Sequence, residues 1–203
     1  MSCIAAAILA AGTSSRLGTP KQLLDLGGRP VLAHTLDAVR RSRVDLILVT
    51  LGNEQARIEA SVDLTDTIVV PNPDYAEGQS TSVVAVIRAL PKDVDAILFV
   101  LGDQPFQEPA VIDAIIDSYR SDGAAIAQPR YSEGRGNPIL ITRQFFSELL
   151  DLTGDVGARP ILERHRDQIT LVDVSNFSRP GDIDTFDDFD SIQQQYRQRQ
   201  DAP

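Results

Sequence analysis

Two cations in a loop of small residues and three carboxylates far away in the sequence are the side chains best suited to phosphate chemistry. Arg16 and Lys21 lie in the stretch AAGTSSRLGTPKQLL, directly after an apolar segment. Asp103 follows a second apolar segment, and Asp182 and Asp184 precede the last helical pattern. Arg and Lys neutralise phosphate oxygens, whereas a carboxylate beside a phosphate needs a bridging cation such as Mg²⁺. The combination predicts a polyphosphate site that includes a divalent metal ion.

The loop after the first apolar segment can bring its backbone close to a ligand. Ala10, Ala11 and Gly12 carry no bulky side chain, so backbone N–H groups can approach a nucleotide base or phosphate oxygens. The loop has neither the Gly-Lys-Ser/Thr triplet of a Walker P-loop nor the G-x-G-x-x-G dinucleotide motif. A solvated surface loop with incidental Arg and Lys is the alternative. We expect a nucleotide to contact Leu9, Ala10, Ala11, Gly12, Arg16 and Lys21.

The acidic residues also have structural explanations. Asp103 could open a type I turn and cap a helix that begins near Glu108. Thr185 can cap the last helix, and Asp187 and Asp188 then favour its dipole, which leaves Asp182 and Asp184 free to act with Asp103. Two carboxylates together with a triphosphate form a sensible ligand set for Mg²⁺.

Apolar runs that read as strands alternate with helical patterns along the chain. Strands are predicted at residues 4–9, 45–50, 67–70, 96–101, 124–128, 138–141 and 169–174. This alternation indicates an α/β fold, with a mostly parallel central sheet between two layers of helices. Ligands of such sheets bind beyond the carboxyl ends of the strands, where the residues after positions 9 and 101 would meet.

Composition limits the class of protein. The chain has 203 residues, 42% of them hydrophobic, a net charge of −10 and one cysteine, Cys3. We therefore expect one domain over residues 1–203, with a polar tail that frays from about residue 193. Because the acidic surface repels phosphate backbones and neither a signal peptide nor a membrane span is evident, we expect a cytoplasmic protein without nucleic-acid or membrane partners.

The order of these motifs resembles a known family. A strand followed by LAAGTSSRLGTPKQLL, then GDQP after a central strand and DIDT before the last helix, is similar to the nucleotidyltransferases of molybdenum-cofactor biosynthesis. The stretches NPDYAEGQSTSV (72–83), RGNP (135–138) and GDVGAR (154–159) resemble those of the molybdopterin cytidylyltransferase branch, as does LAAG in place of LAGG. Leu17 and Phe186 depart from the Met and Pro usual in relatives, and Phe186 puts the position of the second metal ligand in doubt.

The resemblance implies a three-layer α/β/α sandwich of the nucleotide-diphospho-sugar-transferase type and a reaction. A terminal phosphate oxygen of molybdopterin would attack the α-phosphorus of CTP, and pyrophosphate would leave. Lys21, Arg16 and Asp103 would be the catalytic residues, because they neutralise and position the reacting phosphates. Mg²⁺ would be held by Asp103 and Asp184, with Asp182 as the reserve ligand.

The internal motifs would divide between the donor and the acceptor. Base selection would fall to Gly78, Gln79, Ser80 and Ser82, although either Ser could instead cap the helix that follows. Acceptor binding would fall to Arg135, Gly136, Asn137, Pro138, Asp155 and Arg159. Alternatively, Asp155 is only an N-cap and Arg159 a surface cation near Asp151.

Three other functions fit the same residues. One is a guanylyltransferase for the same cofactor, and another is a cytidylyl- or uridylyltransferase for a small phosphorylated metabolite. The third is a non-catalytic nucleotide or cofactor carrier. The implied partners are CTP, molybdopterin or its molybdenum form, and a receiving molybdoenzyme or its chaperone.

Overall fold

A computed structural model of the chain describes residues 2–14 and 16–201. Its strands are β1 (Cys3–Leu9), β2 (Asp25–Leu26), β3 (Arg29–Pro30), β4 (Leu46–Leu51), β5 (Ile68–Pro71), β6 (Val94–Leu101), β7 (Ile126–Tyr131), β8 (Gly134–Arg135), β9 (Ile139–Thr142) and β10 (Ile169–Asp173). Its α-helices are α1 (Val31–Arg40), α2 (Gln55–Ser61), α3 (Gln79–Ala89), α4 (Pro109–Asp122), α5 (Phe146–Leu150), α6 (Arg159–Arg164) and α7 (Phe186–Gln200). No helix within the described residues is both long and apolar enough to cross a membrane.

The central sheet confirms the predicted fold class. Its strands lie in the order β10-β7-β9-β6-β1-β4-β5, with β8 paired to β7, and each predicted strand coincides with one of them. β1 runs parallel to β4 and β6, and β4 runs parallel to β5. β9 is antiparallel to both β6 and β7, so these two strands point the same way. The carboxyl ends of β1, β6 and β7 therefore share one edge of the sheet.

Both faces of the sheet are covered, which explains the continuous apolar runs in β1 and β6. On one face Ala6 and Ile8 of β1 share a buried cluster with residues of α1 and α4. On the other face Ala5 and Ala7 belong to a second cluster, together with residues of α3 and α5. Successive side chains of a strand point to opposite faces, so a single short strand serves both cores.

A third, smaller cluster joins the segments that carry the charged residues. Leu17 from the cationic loop, Phe106 from the segment after β6, and Ile183 pack together with Phe189 and Ile192 of α7. Because these apolar residues flank Lys21, Asp103 and Asp184 in sequence, their packing brings three distant segments to one place.

The polar tail from about residue 193, where fraying is expected, continues α7 as far as Gln200. The Tyr196 ring stands edge-on to His34, with ring centroids 5.5 Å apart. The Arg199 guanidinium lies 4.3 Å from the centre of the Phe106 ring and pairs with Glu108 at 3.3 Å. These contacts hold the end of α7 in place, although its Gln- and Arg-rich composition gave no sign of packing contacts. Residues 202–203 lie outside the described structure.

Candidate active site

A cavity of about 670 Å³ lies at the carboxyl ends of β1 and β6. It gathers segments from the start, middle and end of the chain. The predicted site residues that line it are Leu9, Ala10, Ala11, Gly12, Arg16, Lys21, Gly78, Gln79, Ser82, Asp103, Asp155, Arg159, Asp182 and Asp184.

Lys21 is the centre of a charged cluster in this cavity. Its Nζ donates a hydrogen bond to Oδ2 of Asp103 and lies 3.3 Å from Oδ1 of Asp184. Arg16 adds a longer contact, 3.9 Å from its Nη1 to Oδ2 of Asp184. The side chains of Lys21 and Asp103 are only 18% and 15% exposed, against 56% for Asp184, so the pair lies inside the cavity wall and Asp184 at its mouth.

Each member of the cluster is positioned by its own local structure. Lys21 begins a 3₁₀ turn after Pro20, and its backbone N–H donates to Oγ of Ser14 at 3.0 Å. Asp103 follows Gly102, whose N–H donates to the carbonyl of Leu9 at 3.0 Å and so ties the end of β6 to the end of β1.

Asp184 is positioned by the start of α7. Thr185 and Asp188 form a capping box, as the sequence predicted for Thr185, and the carboxylate of Asp188 also accepts the backbone N–H of Asp184 at 3.1 Å. Phe186 is the first residue of this helix, and the capping box before it is intact. The cap therefore holds the second carboxylate in place.

The electrostatics of the cluster favour a bound cation. Burial by itself would lower the pKa of Lys21, but the carboxylates of Asp103 and Asp184 outweigh it and raise that pKa above its ordinary value. Burial raises the pKa of Asp103, although the Lys21 ammonium opposes this shift, and the charge of Asp182 adds to it. Asp103 therefore carries its charge at a cost that a neighbouring cation reduces.

The residues present fit a divalent cation only together with substrate. Across the described residues, no group of three or more His, Cys, Asp or Glu side chains is arranged to hold a metal ion. Asp103 and Asp184 do converge, since a single ammonium contacts both carboxylates. Mg²⁺ is commonly held by one or two carboxylates plus phosphate oxygens, which matches this arrangement.

Asp182 stands apart from the two converging carboxylates. Its Oδ1 accepts a hydrogen bond of 2.7 Å from Nε2 of Gln104. Gln104 is 1% exposed, and its backbone carbonyl accepts from the hydroxyl of Thr35 at 3.2 Å. Asp182 lines the cavity, but because one of its oxygens is held by Gln104, it is less available than Asp184 as a metal ligand.

Gln22 supports the small-residue loop and was missed by the sequence reasoning. Its Nε2 donates to the carbonyl of Ala10 at 2.6 Å, and its side chain is buried. Around Gly12, no described atom lies within 4 Å of the position a Cβ would take, so the loop is open to a ligand there. Gln22 is the middle residue of the 3₁₀ turn that Lys21 begins, and a buried amide there gives little sequence signal beyond its place next to Lys21.

The start of α3 contradicts the capping role considered for its serines. Gly78 is the N-cap, with φ at +114°, and Ser80 is fully buried and outside the cavity lining. Ser82 lines the cavity, and its Oγ accepts from Nδ2 of Asn72 at 3.0 Å. The idea that Ser80 or Ser82 caps this helix is therefore wrong: the N–H of Gln79 is bonded instead to Oδ1 of Asp155, 3.0 Å away.

The same contact revises the expectation for Asp155. It does not cap α6, whose N-cap is Ala158. Arg159, the first residue of α6, is exposed and lines the cavity. Asp155 and Arg159 therefore line the same cavity as the residues predicted to read the base.

The other predicted acceptor residues lie outside the cavity lining. Arg135, Gly136, Asn137 and Pro138 follow β7 at the same edge of the sheet. A Cβ on Gly136 would lie 2.8 Å from the Tyr131 ring, and the Tyr131 hydroxyl donates to the carbonyl of Asn137 at 2.9 Å. Close packing on Tyr131 thus explains why a glycine fits at position 136.

Several lining residues had no predicted role. Tyr75, Ala76 and Glu77 form a short 3₁₀ turn at the cavity wall, inside the quoted stretch 72–83. The Tyr75 ring packs on Gly52, where a Cβ would approach it to 2.8 Å. The remaining lining residues are Thr13, Ser14, Leu17, Gln22, Leu101 and Gly102.

A mostly parallel sheet with a charged cavity at its carboxyl edge is typical of ligand-binding α/β proteins, among them those that bind nucleotides. Within that class, residues 6–169 match the MobA-like NTP transferase domain. The chain belongs to this family.

Full-length relatives carry two different names. The chain is 30% identical over 205 residues to the molybdenum cofactor cytidylyltransferase of Escherichia coli strain K12, covering 97% of this chain and 98% of that protein. It is 28% identical to the nicotine blue oxidoreductase of Paenarthrobacter nicotinovorans, covering 96% of each. The bifunctional protein GlmU of Desulfitobacterium hafniense strain Y51 is 34% identical over 125 residues. That match covers 60% of this chain but only 26% of the length of GlmU.

Solved structures agree with the fold. A homologue of Mycobacterium tuberculosis Rv0371c from Mycobacterium sp. strain JC1 superimposes with a TM-score of 0.89 at 33% identity, over 96% of this chain and 97% of that one. Rv0371c itself, in complex with manganese, gives a TM-score of 0.84 at 31% identity, over 95% and 98%. CMP:2-keto-3-deoxy-manno-octonic acid synthetase shares the fold at 15% identity, with a TM-score of 0.76 over 98% of this chain and 99% of that one.

Proposed function

We propose that this chain transfers CMP from CTP to the terminal phosphate of molybdopterin and releases pyrophosphate, with Mg²⁺ as the metal ion. The observation that carries the proposal is the contact of Lys21 with both Asp103 and Asp184 inside a cavity that also contains Arg16. The full-length relative named as a cytidylyltransferase supports the choice of nucleotide and acceptor.

The chain's own residues account for the donor half of the reaction. Ala10, Ala11 and Gly12 present backbone groups to the nucleotide, while Gly78, Gln79 and Ser82 form another part of the cavity wall. Lys21 and Arg16 supply positive charge for the triphosphate in a protein whose net charge is −10, where an anionic substrate needs a local cationic site.

In the transfer step, a phosphate oxygen of the acceptor forms a bond to the α-phosphorus as the bond to the β-phosphate oxygen breaks. The pair of electrons leaves with pyrophosphate, so the step needs no covalent intermediate and no redox partner. Lys21 and Arg16 stabilise the charge that develops on the phosphoryl oxygens. When bound by Asp103 and Asp184, a divalent cation supplies further neutralisation of phosphate charge.

The acceptor is proposed to approach along the shared edge of the sheet, past the end of β7. Arg135 and Asn137 remain its proposed contacts on that side, while Arg159 lies at the cavity. We further propose that residues 1–203 act as one cytoplasmic nucleotidyltransferase domain and that the product passes to a molybdoenzyme or its chaperone.

Pyrophosphate release with separate nucleotides tests the proposal. The purified protein, molybdopterin and Mg²⁺ are incubated with CTP, GTP or UTP, and then CTP is tested with phosphorylated sugars and polyols in place of molybdopterin. Release that requires CTP and molybdopterin together supports the proposal. Preference for GTP would indicate the guanylyltransferase, release with a small phosphorylated metabolite the alternative acceptor, and tight CTP binding without turnover the carrier.

A further inference from the structure

The segment Gly154 to Gly157, hereafter the 154–157 segment, packs against the first turn of α3. The backbone N–H of Ser80 donates to the carbonyl of Gly154 at 3.2 Å. The N–H of Gln79 donates to Oδ1 of Asp155 at 3.0 Å, and the hydroxyl of Ser80 lies 3.5 Å from the carbonyl of Gly157. Three polar contacts thus join two segments that are more than seventy residues apart.

Two glycines show how closely the segments fit. A Cβ on Gly78 would lie 2.7 Å from the backbone N and Cα of Asp155, and Gly78 has a φ of +114° that other residues rarely adopt. A Cβ on Gly157 would lie 2.5 Å from Oε1 of Gln79. The 154–157 segment therefore bonds the backbone of Gln79 and lies close to its side chain, which fits only because position 157 is glycine.

The carboxylate of Asp155 is better suited to this contact than to a phosphate acceptor. It accepts an N–H at the first turn of an eleven-residue helix, where the helix dipole favours a negative charge. Toward a phosphorylated acceptor the same carboxylate would be repulsive. Gln79, by contrast, is exposed at the cavity wall, with an amide that can both donate and accept hydrogen bonds.

We propose that Asp155 is a positioning residue on the donor side, which sets nucleobase selectivity by holding Gln79 in place. This inference rests on the proposed function, in which the wall formed by Gly78, Gln79 and Ser82 contacts the base. Asp155 acts through Gln79 and does not contact the acceptor.

Equilibrium binding of CTP and GTP tests the inference without depending on turnover. Asp155→Ala should weaken CTP binding and bring the CTP and GTP dissociation constants together, because Gln79 loses the carboxylate that accepts its backbone N–H. Asp155→Asn keeps an oxygen that can accept the Gln79 N–H, so it should retain the wild-type preference. Asp151→Ala removes an exposed carboxylate outside the cavity lining and is the matched control.

A second variant covers the case in which Asp155→Ala does not fold. Gln79→Ala keeps the N–H that Asp155 accepts but removes the side chain that the 154–157 segment is proposed to hold, so it should lower base selectivity in the same way. The KM for molybdopterin should be unchanged in Asp155→Ala and Asp155→Asn.

The outcomes separate this inference from the proposed function. If the wild-type protein binds neither nucleotide, both are overturned. If it prefers CTP and Asp155→Ala keeps that preference, or if Asp155→Asn loses it as fully as the alanine variant, only the inference fails. A raised KM for molybdopterin with unchanged CTP binding in Asp155→Ala would indicate that Asp155 contacts the acceptor, and it would also overturn the inference.

Discussion

The ammonium of Lys21 contacts the carboxylates of both Asp103 and Asp184, which come from segments 82 and 163 residues away. The same two carboxylates are the proposed metal ligands. On this proposal, Lys21 would compete with a divalent cation for one pair of anions when no nucleotide is bound, whereas a bound triphosphate would offer both cations further oxygens.

This competition predicts opposite effects of Lys21→Ala on metal binding and on turnover. Mn²⁺ should bind the nucleotide-free variant more tightly than the wild-type protein, because both carboxylates lose their internal counter-ion. Turnover should fall by roughly 10² to 10³, the cost typical of removing a group that stabilises transition-state charge. Titration calorimetry with Mn²⁺ and pyrophosphate release measure the two effects.

Lys92→Ala is the control for that experiment, since Lys92 is an exposed lysine before the amino end of β6. It should change neither quantity. Weaker or unchanged metal binding in Lys21→Ala would show that the ammonium does not compete with the cation.

Asp103→Asn should remove most turnover and leave the fold intact. The substitution keeps the shape of the side chain but removes the charge that faces Lys21 and the proposed metal ion. Circular dichroism and thermal unfolding report the fold, and pyrophosphate release reports turnover. The matched control is Asp93→Asn, because Asp93 is exposed and lies before the amino end of β6. Wild-type turnover in Asp103→Asn would contradict the assignment.

The two late carboxylates should differ in their effect on metal binding. Asp184→Asn should weaken Mn²⁺ binding in the presence of CTP more than Asp182→Asn does, because Asp182 is anchored by Gln104 whereas Asp184 faces Lys21. Electron paramagnetic resonance of bound Mn²⁺ measures both variants. A larger loss of Mn²⁺ binding in Asp182→Asn would indicate that Asp182, and not Asp184, is the second metal ligand.

The stability that the cap of α7 contributes should be lost in acid. Hydrogen bonds from the hydroxyl and the backbone N–H of Thr185 hold the pKa of Asp188 below its ordinary value of 3.8. A lowered folded-state pKa means that the carboxylate contributes stability above pH 3.8 and loses this contribution as the pH falls below that value. The difference in unfolding free energy between the wild-type protein and Asp188→Ala should therefore be present near neutrality and shrink in acid.

Asp187→Ala serves as the control for the cap, because Asp187 lies in the same first turn but outside the capping box. Chemical denaturation of the three proteins across the pH range gives the comparison. A difference that persists unchanged below pH 3.8 would show that the ionised carboxylate is not what stabilises the helix start.

Local patterns in the sequence were sufficient to predict the sheet and the main charged cluster. The apolar runs in β1 and β6 end at the Ala10 loop and at Asp103, and the rule that ligands bind at the carboxyl edge of parallel strands places the two together. Thr185 was recognised as a cap because a Ser or Thr before an acidic first turn is a local signal.

Contacts between distant segments could not be predicted in this way. Asp155 lies next to α6 in sequence, yet it caps α3 through a packing relation that no local spacing encodes. The stability of α7 depends likewise on Tyr196 and Arg199 meeting His34 and Phe106. Gln22 and Gln104 support the site from buried positions that only the folded chain reveals.

The central claim is that cationic and acidic residues from three segments act together on one nucleoside triphosphate. Its most direct test is incubation of the protein with CTP, molybdopterin and Mg²⁺, followed by mass spectrometry of the products. We expect molybdopterin cytosine dinucleotide and one equivalent of pyrophosphate from the wild-type protein, and neither above background from Asp103→Asn. Absence of the dinucleotide with the wild-type protein, or equal amounts of it from both proteins, would contradict the account.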